Sequence, residues 1–490
     1  MERAEAEAIY DSGRERCVEA ILELAAAVEE LGARGERLEE RIGRLEEQAR
    51  KDSRNSSSPP SADPPKTRAE RRAEARAKAK AWAKREGERK PGAQPGHKGS
   101  GRKLLPEDQV DEIVDHYPDA CGGCGREFSE QERQPASRFG RHQVAELPPI
   151  AVLIFEHRSH RLRCPGCGSR TAAELPDGIG DSPFGSDLQA AVVTMTARNR
   201  VSRRDMSELA DDLFGLGLSV GSVDAICQRA SAALADPHEQ LVETVLSAPA
   251  VNVDETGWFT AHEGRTMWTA TTPEAAIFRI AEDRHRDRLE ELIGKDFGGI
   301  VGSDRWWAYD HIDPDSRQAC WEHLKRDFFN HSEGLAEQQD FGTAGLALTK
   351  RLFEAWRSFC EHQDRARLIA EIAPIKAELL ELLERAARKS KRTRHHRRFA
   401  NNLLKIWPAL WTFVTVESVQ PTNNAAERAL RGPVIYRKLS HGTQSDDGER
   451  FVERALSASV TCRLQARSMF TYMRELLAAS ARGDPLPELA

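Results

Sequence analysis

The chain is 490 residues long, with 39% hydrophobic and 31% charged residues and a formal net charge of −6. This length is too great for one hydrophobic core, so roughly three or four domains are expected. No apolar run is long enough to span a membrane and the N-terminus lacks an apolar signal core, so neither a membrane span nor secretion is expected, and nine mostly scattered cysteines fit a reducing cytoplasm.

Residues 1–50 carry a heptad pattern that predicts a coiled coil. Leucine at every d position with mostly β-branched residues at a favours a parallel pair of helices, and hence a homodimer. The d residues are Leu24, Leu31, Leu38 and Leu45, and the a residues are Ile21, Val28, Gly35 and Ile42. An antiparallel hairpin within the chain or a single amphipathic helix fits the same pattern.

Residues 51–105 are predicted to form a flexible, basic linker or arm. Its first part is rich in Ser and Pro and cannot form a regular element. From Arg50 to Lys103 there are 17 Lys or Arg against 6 Asp or Glu, a local net charge of +11. Such a cluster attracts a polyanion even in an acidic chain. Candidate DNA contacts are Lys98, Arg102 and Lys103, and a solvated helix is the alternative for the basic stretch.

Two Cys-x-x-Cys pairs within residues 106–185 predict a structural zinc site. In Cys121-Gly-Gly-Cys124-Gly and Cys164-Pro-Gly-Cys167-Gly, a glycine follows the second cysteine, where a tight turn needs a permissive backbone. The apolar run Ile150–Phe155 between the pairs predicts a strand. Four thiolates from two such knuckles make a closed tetrahedral Zn²⁺ site with no open position for catalysis. Free thiols or a redox pair are the alternative.

Residues 186–247 are predicted to be helical. Ser202–Phe214 is amphipathic, Gly215-Leu-Gly217-Leu predicts a turn, and another helix begins at Ser219. This order is typical of a helix-turn-helix DNA-binding domain. An ordinary helical hairpin has the same pattern.

From Ala248 the pattern changes to strands and predicts an α/β core over residues 248–330 and 412–465. Val251 and Val253 share one face of the first strand, while Asp254 points the other way. Further strands are predicted at Thr266–Thr272, Ala276–Ala281 and Gly299–Ser303, with a helix at His285–Ile293 before the last of them. Three strands, a helix and a fourth strand match the opening of a ribonuclease H-like fold. In that fold the first and fourth strands are neighbours, which would bring Asp254 close to Asp304.

Three acidic residues in distinctive contexts are candidate metal ligands. Asp254 lies in Val-Asn-Val-Asp-Glu-Thr-Gly-Trp (251–258), Asp304 in Val-Gly-Ser-Asp-Arg-Trp-Trp-Ala-Tyr-Asp (301–310), and Glu427 in Thr-Asn-Asn-Ala-Ala-Glu-Arg-Ala-Leu-Arg (422–431). Gathered together, they would form a carboxylate cage for two Mg²⁺ or Mn²⁺ ions, which phosphodiester cleavage needs. Glu427 has another interpretation, because Asn424 as N-cap with Glu427 at N3 would form a capping box. Four basic residues follow on the same segment and suit phosphate contacts: Arg428, Arg431, Arg437 and Lys438.

These motifs resemble those of transposases of the insertion-sequence 66 (IS66) family, in the class that uses an Asp-Asp-Glu triad. The matching pieces are Val-Asp-Glu-Thr-Gly-Trp, Ser-Asp-Arg-Trp-Trp-Ala-Tyr-Asp, Cys-Trp-Glu-His-Leu-Lys-Arg-Asp-Phe (320–328) and Asn-Asn-Ala-Ala-Glu-Arg-Ala-Leu-Arg-Gly-Pro-Val-Ile-Tyr-Arg-Lys (423–438). The coiled coil, the Asn-Ser-Ser-x-Pro-Pro linker, Ala-Gln-Pro-Gly-His-Lys-Gly (93–99) and the zinc knuckles follow the family's order. The resemblance therefore covers nearly the whole chain.

The resemblance implies that Asp254, Asp304 and Glu427 are the catalytic triad of a DNA transposase. Its substrates would be the terminal inverted repeats of the element and target DNA, in a bacterial cytoplasm, on the nucleoid when bound. Accessory proteins of the same element are implied partners. Cys320 and His323 match a signature of related transposases; as a zinc site the pair is incomplete, so we interpret it, with Asn424, as support for the active site.

The 122 residues between Asp304 and Glu427 exceed what the basic fold requires. Long helices are predicted at Ala344–Phe359 and Arg367–Arg388, with a basic tip after them, so residues 331–411 form a predicted helical insertion. By the resemblance it would embrace the transposon end; a plain helical lid is the alternative. Residues 466–490 are predicted to be a C-terminal helix and tail.

The predicted architecture is thus a multidomain α+β protein. Two other functions fit the residues. One is a ribonuclease H-like nuclease or resolvase that uses the same metal ions without strand transfer. The other is a non-catalytic, zinc-containing DNA-binding protein derived from a transposase.

Overall fold

A computed structural model describes residues 10–19, 22, 30, 34, 103–133, 140–148, 150–177, 179, 182–334, 336–388 and 394–489. The described residues belong to two compact units, one within Pro65–Leu153 and the other within Met1–Pro64 and Ile154–Ala490. Most of the predicted coiled coil and of the basic linker, including Lys98 and Arg102, lies outside the described residues. Among the described helices, none is long and apolar enough to cross a membrane.

Each cysteine pair lies on a tight turn. Gly125 and Gly168, which follow the second cysteines, have φ angles of 73° and 74°, so the predicted need for glycine there is confirmed. Helical turns at Glu107–Gln109 and Glu130–Arg133 flank the first pair, and strands β1 (Arg161–Arg163) and β2 (Arg170–Ala172) form an antiparallel hairpin around the second. The strand predicted at Ile150–Phe155 is wrong. Residues 150–155 have no regular secondary structure, because no partner strand pairs with them among the described residues.

Four helices precede the sheet: α1 (Ser186–Val193, continued by a wider turn at Thr194–Arg198), α2 (Arg203–Phe214), α3 (Val220–Ala233) and α4 (Ala235–Leu246). The Ser202 and Ser219 hydroxyls cap α2 and α3 by accepting backbone N–H groups. Gly215, at a φ of 60°, ends α2 in the left-handed conformation. The predicted helix–turn–helix order is therefore confirmed as local structure.

The sheet has five strands: β3 (Ala250–Thr260), β4 (Glu263–Thr271), β5 (Ala276–Ala281), β6 (Ile300–Ser303) and β7 (Arg317–Ala319). Strands β3 to β5 form an antiparallel meander, and β6 and β7 run parallel to β3, in the order β5-β4-β3-β6-β7. Helix α5 (Arg286–Ile293) carries the chain from β5 to β6. The predicted neighbourhood of the first and fourth strands is confirmed, and the predicted strand bounds differ by at most three residues.

After β7 comes an all-helical region: α6 (Trp321–Ser332), α7 (Ala336–His362), α8 (Arg365–Arg388), α9 (Arg394–Lys405) and short turns at Pro408–Leu410 and Thr412–Thr415. The two predicted long helices lie within α7 and α8. These helices enclose a core of their own, which includes Trp321, Phe328, Leu379 and Phe413.

Three helices complete the chain: α10 (Asn424–Ser440), α11 (Asp446–Leu464) and α12 (Met469–Arg482). Together with α1–α4 they pack against the sheet in a single core. Val251, Val253 and Val301 point into that core, while Ala250 and Ile300 pack against the helical core of the insertion. The two faces of β3 and β6 thus serve different cores, as the alternation of their side chains requires.

Candidate active site

Asp254 lies on β3, and Asp304 directly follows the neighbouring parallel strand β6, at a matching position. Asn252 pairs with Gly302, and Asp254 and Asp304 each lie two residues further along. A Cβ at Gly302 would lie 2.6 Å from the Asn252 Oδ1 atom, so any larger residue there would require the Asn252 side chain to move. The Asp254 Oδ1 atom accepts the Glu255 N–H at 2.9 Å, and Asp304 Oδ1 accepts the Trp306 N–H at 2.8 Å.

The pKa of Asp254 is raised by its burial and by three neighbouring carboxylates. Burial raises the pKa of Asp254 well above its usual range, and the Glu255 carboxylate raises it further. The charges of Asp304 and Glu427 act in the same direction. A buried group surrounded by like charges holds its proton until a cation compensates them. All three predicted acids therefore lie close enough to interact.

A fourth carboxylate, that of Glu255, follows Asp254 on β3 and acts on it electrostatically. Its side chain is only 1% exposed, and it accepts hydrogen bonds from the Arg284 guanidinium and the Tyr309 hydroxyl. Burial raises the pKa of Glu255, and the charge of Asp304 adds to the rise, against the two hydrogen bonds. Arg284 in turn stacks 4.5 Å from the Trp306 ring centroid.

Arg317, buried in β7, holds the backbone around Asp304. Its guanidinium donates to the Asp304 carbonyl at 2.6 Å, the Tyr309 carbonyl at 3.0 Å and the Ser303 hydroxyl at 3.1 Å. Burial lowers the pKa of Arg317. The chain leaving β6 is thereby fixed by one side chain, which restricts where the Asp304 carboxylate can lie.

Glu427 reaches the cluster because the start of α10 is anchored to β3. The N-cap of α10 is Asn423, whose side-chain amide donates to the Val253 carbonyl at 2.8 Å. The alternative interpretation of Glu427 as part of a capping box is wrong, since Asn424 is the first helical residue and Glu427 the fourth, and the N-cap makes no side-chain capping bond. The Asn423 amide is used for tertiary anchoring instead of capping, which leaves Glu427 no capping role.

Helix α6 brings Cys320, His323 and Arg326 against Glu427. One ligand atom from each of Cys320, His323 and Glu427 lies within 4.8 Å of the others. Glu427 Oε1 is 3.7 Å from His323 Nδ1 and 3.5 Å from an Arg326 nitrogen. The Cys320 Sγ atom accepts the Asn423 N–H at 3.2 Å. Cys320 therefore ties β7 to the start of α10, which is a supporting position.

Two pKa shifts follow from this burial. Burial raises the pKa of the Cys320 thiol to about 11. Burial lowers the pKa of His323, and the positive charge of Arg326 lowers it further. The imidazole is thus held in its neutral form, with a lone pair on one ring nitrogen.

The predicted DNA-contacting residues of α10 divide into two groups. Arg428, Arg431 and Lys438 are exposed and recur at helical spacing along one face. Arg437 is half-buried and donates to the Gly257 carbonyl, and burial lowers its pKa. Its guanidinium therefore fastens α10 to β3. Lys103 is exposed in the other unit.

Each cysteine pair forms a knuckle in its own unit. Backbone N–H groups of the first turn and the neighbouring thiol of Cys124 lower the pKa of Cys121. The hydroxyl and backbone of Ser169, with the thiol of Cys164, lower the pKa of Cys167. Both shifts favour thiolates, the form that binds zinc. A zinc ion shared by the four cysteines stays a prediction.

The helix pair α2–α3 exposes a mainly acidic surface. The exposed carboxylates on α2 belong to Asp205, Glu208, Asp211 and Asp212. On α3, exposed positions include Gly221, Asp224 and Ala225. Phosphates repel such a surface. This charge pattern favours the alternative of a structural helical hairpin.

Several residues of the site were not predicted from the sequence. Glu255 and Tyr309 lie within the two aspartate motifs, and Arg326 lies one helical turn after His323, so their positions carried a local signal. Arg284 and Arg317 carry none, because they reach the site only through the packing of the strand ends. They were missed for that reason.

Comparisons with known proteins agree with these features. The profile of a family described as "Transposase IS66 family" matches residues 181–450, and one described as "Family of unknown function (DUF6444)" matches residues 14–103. Two relatives come from Sinorhizobium fredii (strain NBRC 101917 / NGR234). "Uncharacterized protein y4hP" is 23% identical over 422 residues, which are 78% of this chain and 74% of that protein. "Uncharacterized protein y4qI" is 26% identical over 247 residues, 47% of this chain and 45% of that protein. Because the first profile spans more than half of the chain and includes all three acids, the chain belongs to the IS66 transposase family, which supports a transposase function in general.

Proposed function

We propose that this protein is a DNA transposase of the Asp-Asp-Glu class, which cleaves DNA at transposon ends and transfers the exposed 3′ ends into target DNA. The observation that carries the proposal is the placement of the three acids. Asp254 and Asp304 each lie two residues beyond the Asn252–Gly302 pair, and the start of α10, which carries Glu427, is hydrogen-bonded to the Val253 carbonyl. Membership of the IS66 family supports the proposal independently. The strand order, with Asp254 on β3 and Asp304 directly after the adjacent parallel strand β6, fits a ribonuclease H-like core and supports the proposal further.

The three carboxylates fit divalent cations. The donor set is all oxygen, which suits Mg²⁺ or Mn²⁺. The raised pKa of Asp254 reflects its burial and the negative charges around it, and a bound cation would compensate those charges. Asp254, Asp304 and Glu427 would hold the two ions. When bound, such ions lower the pKa of an attacking water or 3′-hydroxyl and neutralise the leaving oxygen.

The surrounding residues keep the carboxylates in place. Arg317 fixes the backbone of Asp304, and the Arg284 and Tyr309 hydrogen bonds fix the Glu255 side chain. Such fixed geometry matters because a phosphoryl transfer depends on in-line positioning. On α10, the exposed Arg428, Arg431 and Lys438 would contact phosphates of the bound DNA.

The remaining features extend the proposal. A Zn²⁺ ion bound by Cys121, Cys124, Cys164 and Cys167 would have a structural role. Dimerisation through residues 1–50, a basic arm at 51–105 and an insertion at 331–411 that contacts the transposon end would assemble the complex. We propose the bacterial cytoplasm as its location, with accessory proteins of the element as partners.

The test uses purified protein with supercoiled donor DNA that carries the ends of the element, in Mg²⁺. We expect Asp304→Asn and Glu427→Gln each to lower end cleavage at least about a hundredfold, because each removes a metal ligand. Asp296→Asn, an exposed aspartate outside the cluster, is the matched control. Full cleavage by either cluster variant would overturn the assignment.

Product analysis decides between the proposed function and its rivals. Joining of 3′ ends to new DNA is expected of a transposase alone. Cleavage without joining would indicate a nuclease or resolvase. Binding without any magnesium-dependent cleavage would indicate a non-catalytic DNA-binding protein.

A further inference from the structure

The side chains of Cys320, His323 and Glu427 form a cluster whose chemistry differs from that of the acidic cage. A thiol, an imidazole and a carboxylate are the typical ligands of Zn²⁺, whereas Mg²⁺ prefers oxygen ligands alone. The three ligand atoms come from the end of β7, the first turn of α6 and the first turn of α10. We propose that they form a second cation site, which prefers Zn²⁺ and other ions that bind sulfur and nitrogen over Mg²⁺.

The distances fit this assignment. Two ligands of one tetrahedral zinc ion are about 3.5 Å apart, given metal–ligand bonds of about 2.0–2.3 Å. His323 Nδ1 and Glu427 Oε1 are 3.7 Å apart, and the whole set lies within 4.8 Å. Side-chain shifts of about 1 Å would therefore close the three ligands around one ion.

Two of the three ligand atoms have no hydrogen-bond partner within the described part of the chain. They are His323 Nδ1 and Glu427 Oε1, and both are buried. Buried polar atoms are normally hydrogen-bonded, so two such atoms facing each other need an explanation. A bound cation would provide a partner for both.

Two contacts shape the site further. The Asn423 N–H donates to Cys320 Sγ, a contact that also stabilises a metal-bound thiolate. Arg326 lies 3.5 Å from Glu427 Oε1 and supplies the balancing positive charge when no ion is bound. On binding, the ion would take over that role and the thiol would release its proton to solvent. Three protein ligands leave a fourth position for water.

Glu427 belongs to both sites, which has a functional consequence that rests on the proposed function. A zinc ion at Cys320 and His323 would hold Glu427 against α6 and remove it from the Mg²⁺ cage. Zn²⁺ is therefore expected to inhibit Mg²⁺-dependent DNA cleavage through this cluster.

The binding test titrates the full-length protein, as purified, with Co²⁺, which gives a thiolate-to-metal absorption band when cysteine is a ligand. We expect Cys320→Ser and His323→Gln each to weaken one Co²⁺ equivalent at least about tenfold, and Cys320→Ser to remove its thiolate band. Cys360→Ser removes an exposed thiol on α7 and is the matched control. Thermal melting verifies that each variant is folded. If Cys320→Ser and His323→Gln both keep the thiolate-to-metal band and the Co²⁺ stoichiometry of the wild type, the proposed site is overturned.

The inhibition test adds Zn²⁺ to the Mg²⁺-dependent cleavage reaction, with each variant compared to its own zinc-free rate. Cys320→Ser should need at least about tenfold more Zn²⁺ for half inhibition than the wild type or Cys360→Ser. Equal sensitivity would overturn the link to Glu427. If the protein cleaves no DNA in Mg²⁺, the proposed function fails, while the Co²⁺ titration still decides whether the site exists.

Discussion

At the scale of single residues, one buried carboxyl group outside the candidate active site makes the stability of the folded protein depend on pH. Glu453 on α11 accepts the Ile280 N–H of strand β5 at 2.6 Å. Burial raises the pKa of Glu453 from 4.5 to about 7, although that hydrogen bond opposes the rise. The folded-state pKa thus lies above the unfolded one. The stability from this group is complete below about pH 4.5 and is lost as the pH rises through 7.

We predict that Glu453→Gln removes this pH dependence, because the amide can still accept the Ile280 N–H but cannot ionise. A rise from 4.5 to about 7 corresponds to about 3 kcal/mol. The free energy of unfolding of the variant minus that of the wild type, measured with urea, should therefore be up to about 3 kcal/mol larger at pH 8 than at pH 5. Glu475→Gln, an exposed glutamate on α12, controls for the loss of one charge. The prediction fails if the difference between variant and wild type is the same at both pH values.

At the scale of elements, side chains of α11 accept the backbone N–H groups of an edge strand. Strand β5 lies at the edge of the sheet, so its outward N–H groups lack a strand partner. Ala276, Phe278 and Ile280 instead donate to side chains of α11. The acceptors, spaced four residues apart, are Glu453, Ser457 and Thr461. Alternate strand residues are about 6.7 Å apart and helix residues at i and i+4 about 6 Å apart, so the two spacings nearly match.

We predict that Thr461→Val lowers the free energy of unfolding by about 1–3 kcal/mol, because the buried Ala276 N–H loses its acceptor. Valine keeps the shape of threonine, so packing is preserved. Thr461→Ser keeps the hydroxyl and is the matched control, which should retain the hydrogen bond and lose only a methyl group. Urea denaturation measures both variants. A larger loss of unfolding free energy in Thr461→Ser than in Thr461→Val would contradict the role of the Thr461 hydroxyl as acceptor of the Ala276 N–H.

Close helix packing in the insertion depends on a glycine. A Cβ at Gly345 of α7 would lie 2.0 Å from the Phe328 ring of α6. We predict that Gly345→Ala destabilises the protein by about 1–3 kcal/mol, because neither helix backbone nor ring has room to yield. At Gly221 of α3 the nearest atom to a Cβ is 3.7 Å away. Gly221→Ala should therefore be neutral or stabilise by up to about 1 kcal/mol. Thermal melting of the two variants tests the contrast, and equal effects would contradict it.

At the scale of the whole molecule, two hydrophobic cores meet at the strands that carry the aspartates. One core joins the sheet to α1–α4 and α10–α12, and the other lies within the helical insertion. Glu427 follows the insertion and Asp254 precedes it, so the packing of the insertion affects where Glu427 lies relative to the two aspartates.

Self-association is a further property of the whole molecule that the sequence predicts. We expect Leu31→Asp combined with Leu38→Asp to convert a dimer into a monomer, because two buried charges in the a/d seam cost more than the seam can compensate. Light scattering with size-exclusion chromatography measures the mass. A substitution at exposed heptad positions, Glu29→Asp with Glu36→Asp, is the control. A mass unchanged from the wild type would argue for an intramolecular hairpin or a single helix.

The sequence by itself determined the local structure. Alternating valines specified β3, glycine positions specified the cysteine turns, and serine caps marked the starts of α2 and α3, because each pattern acts over only a few residues. The neighbourhood of Asp254 and Asp304 was also predictable, since the order of strands and helix allows few topologies. The strand expected at Ile150–Phe155 was wrong because a strand requires a partner that no local pattern specifies.

Only the tertiary structure decided how the site is completed. The Asn423 contacts with Val253 and Cys320 join residues 170 and 103 positions apart. The support of Asp304 by Arg317, the burial of Glu255 by Arg284 and Tyr309, and the closeness of His323 to Glu427 likewise depend on how several elements pack together. Side-chain partners in a buried site are selected by packing and by the energetic cost of unpaired charges, and neither can be read from neighbouring residues.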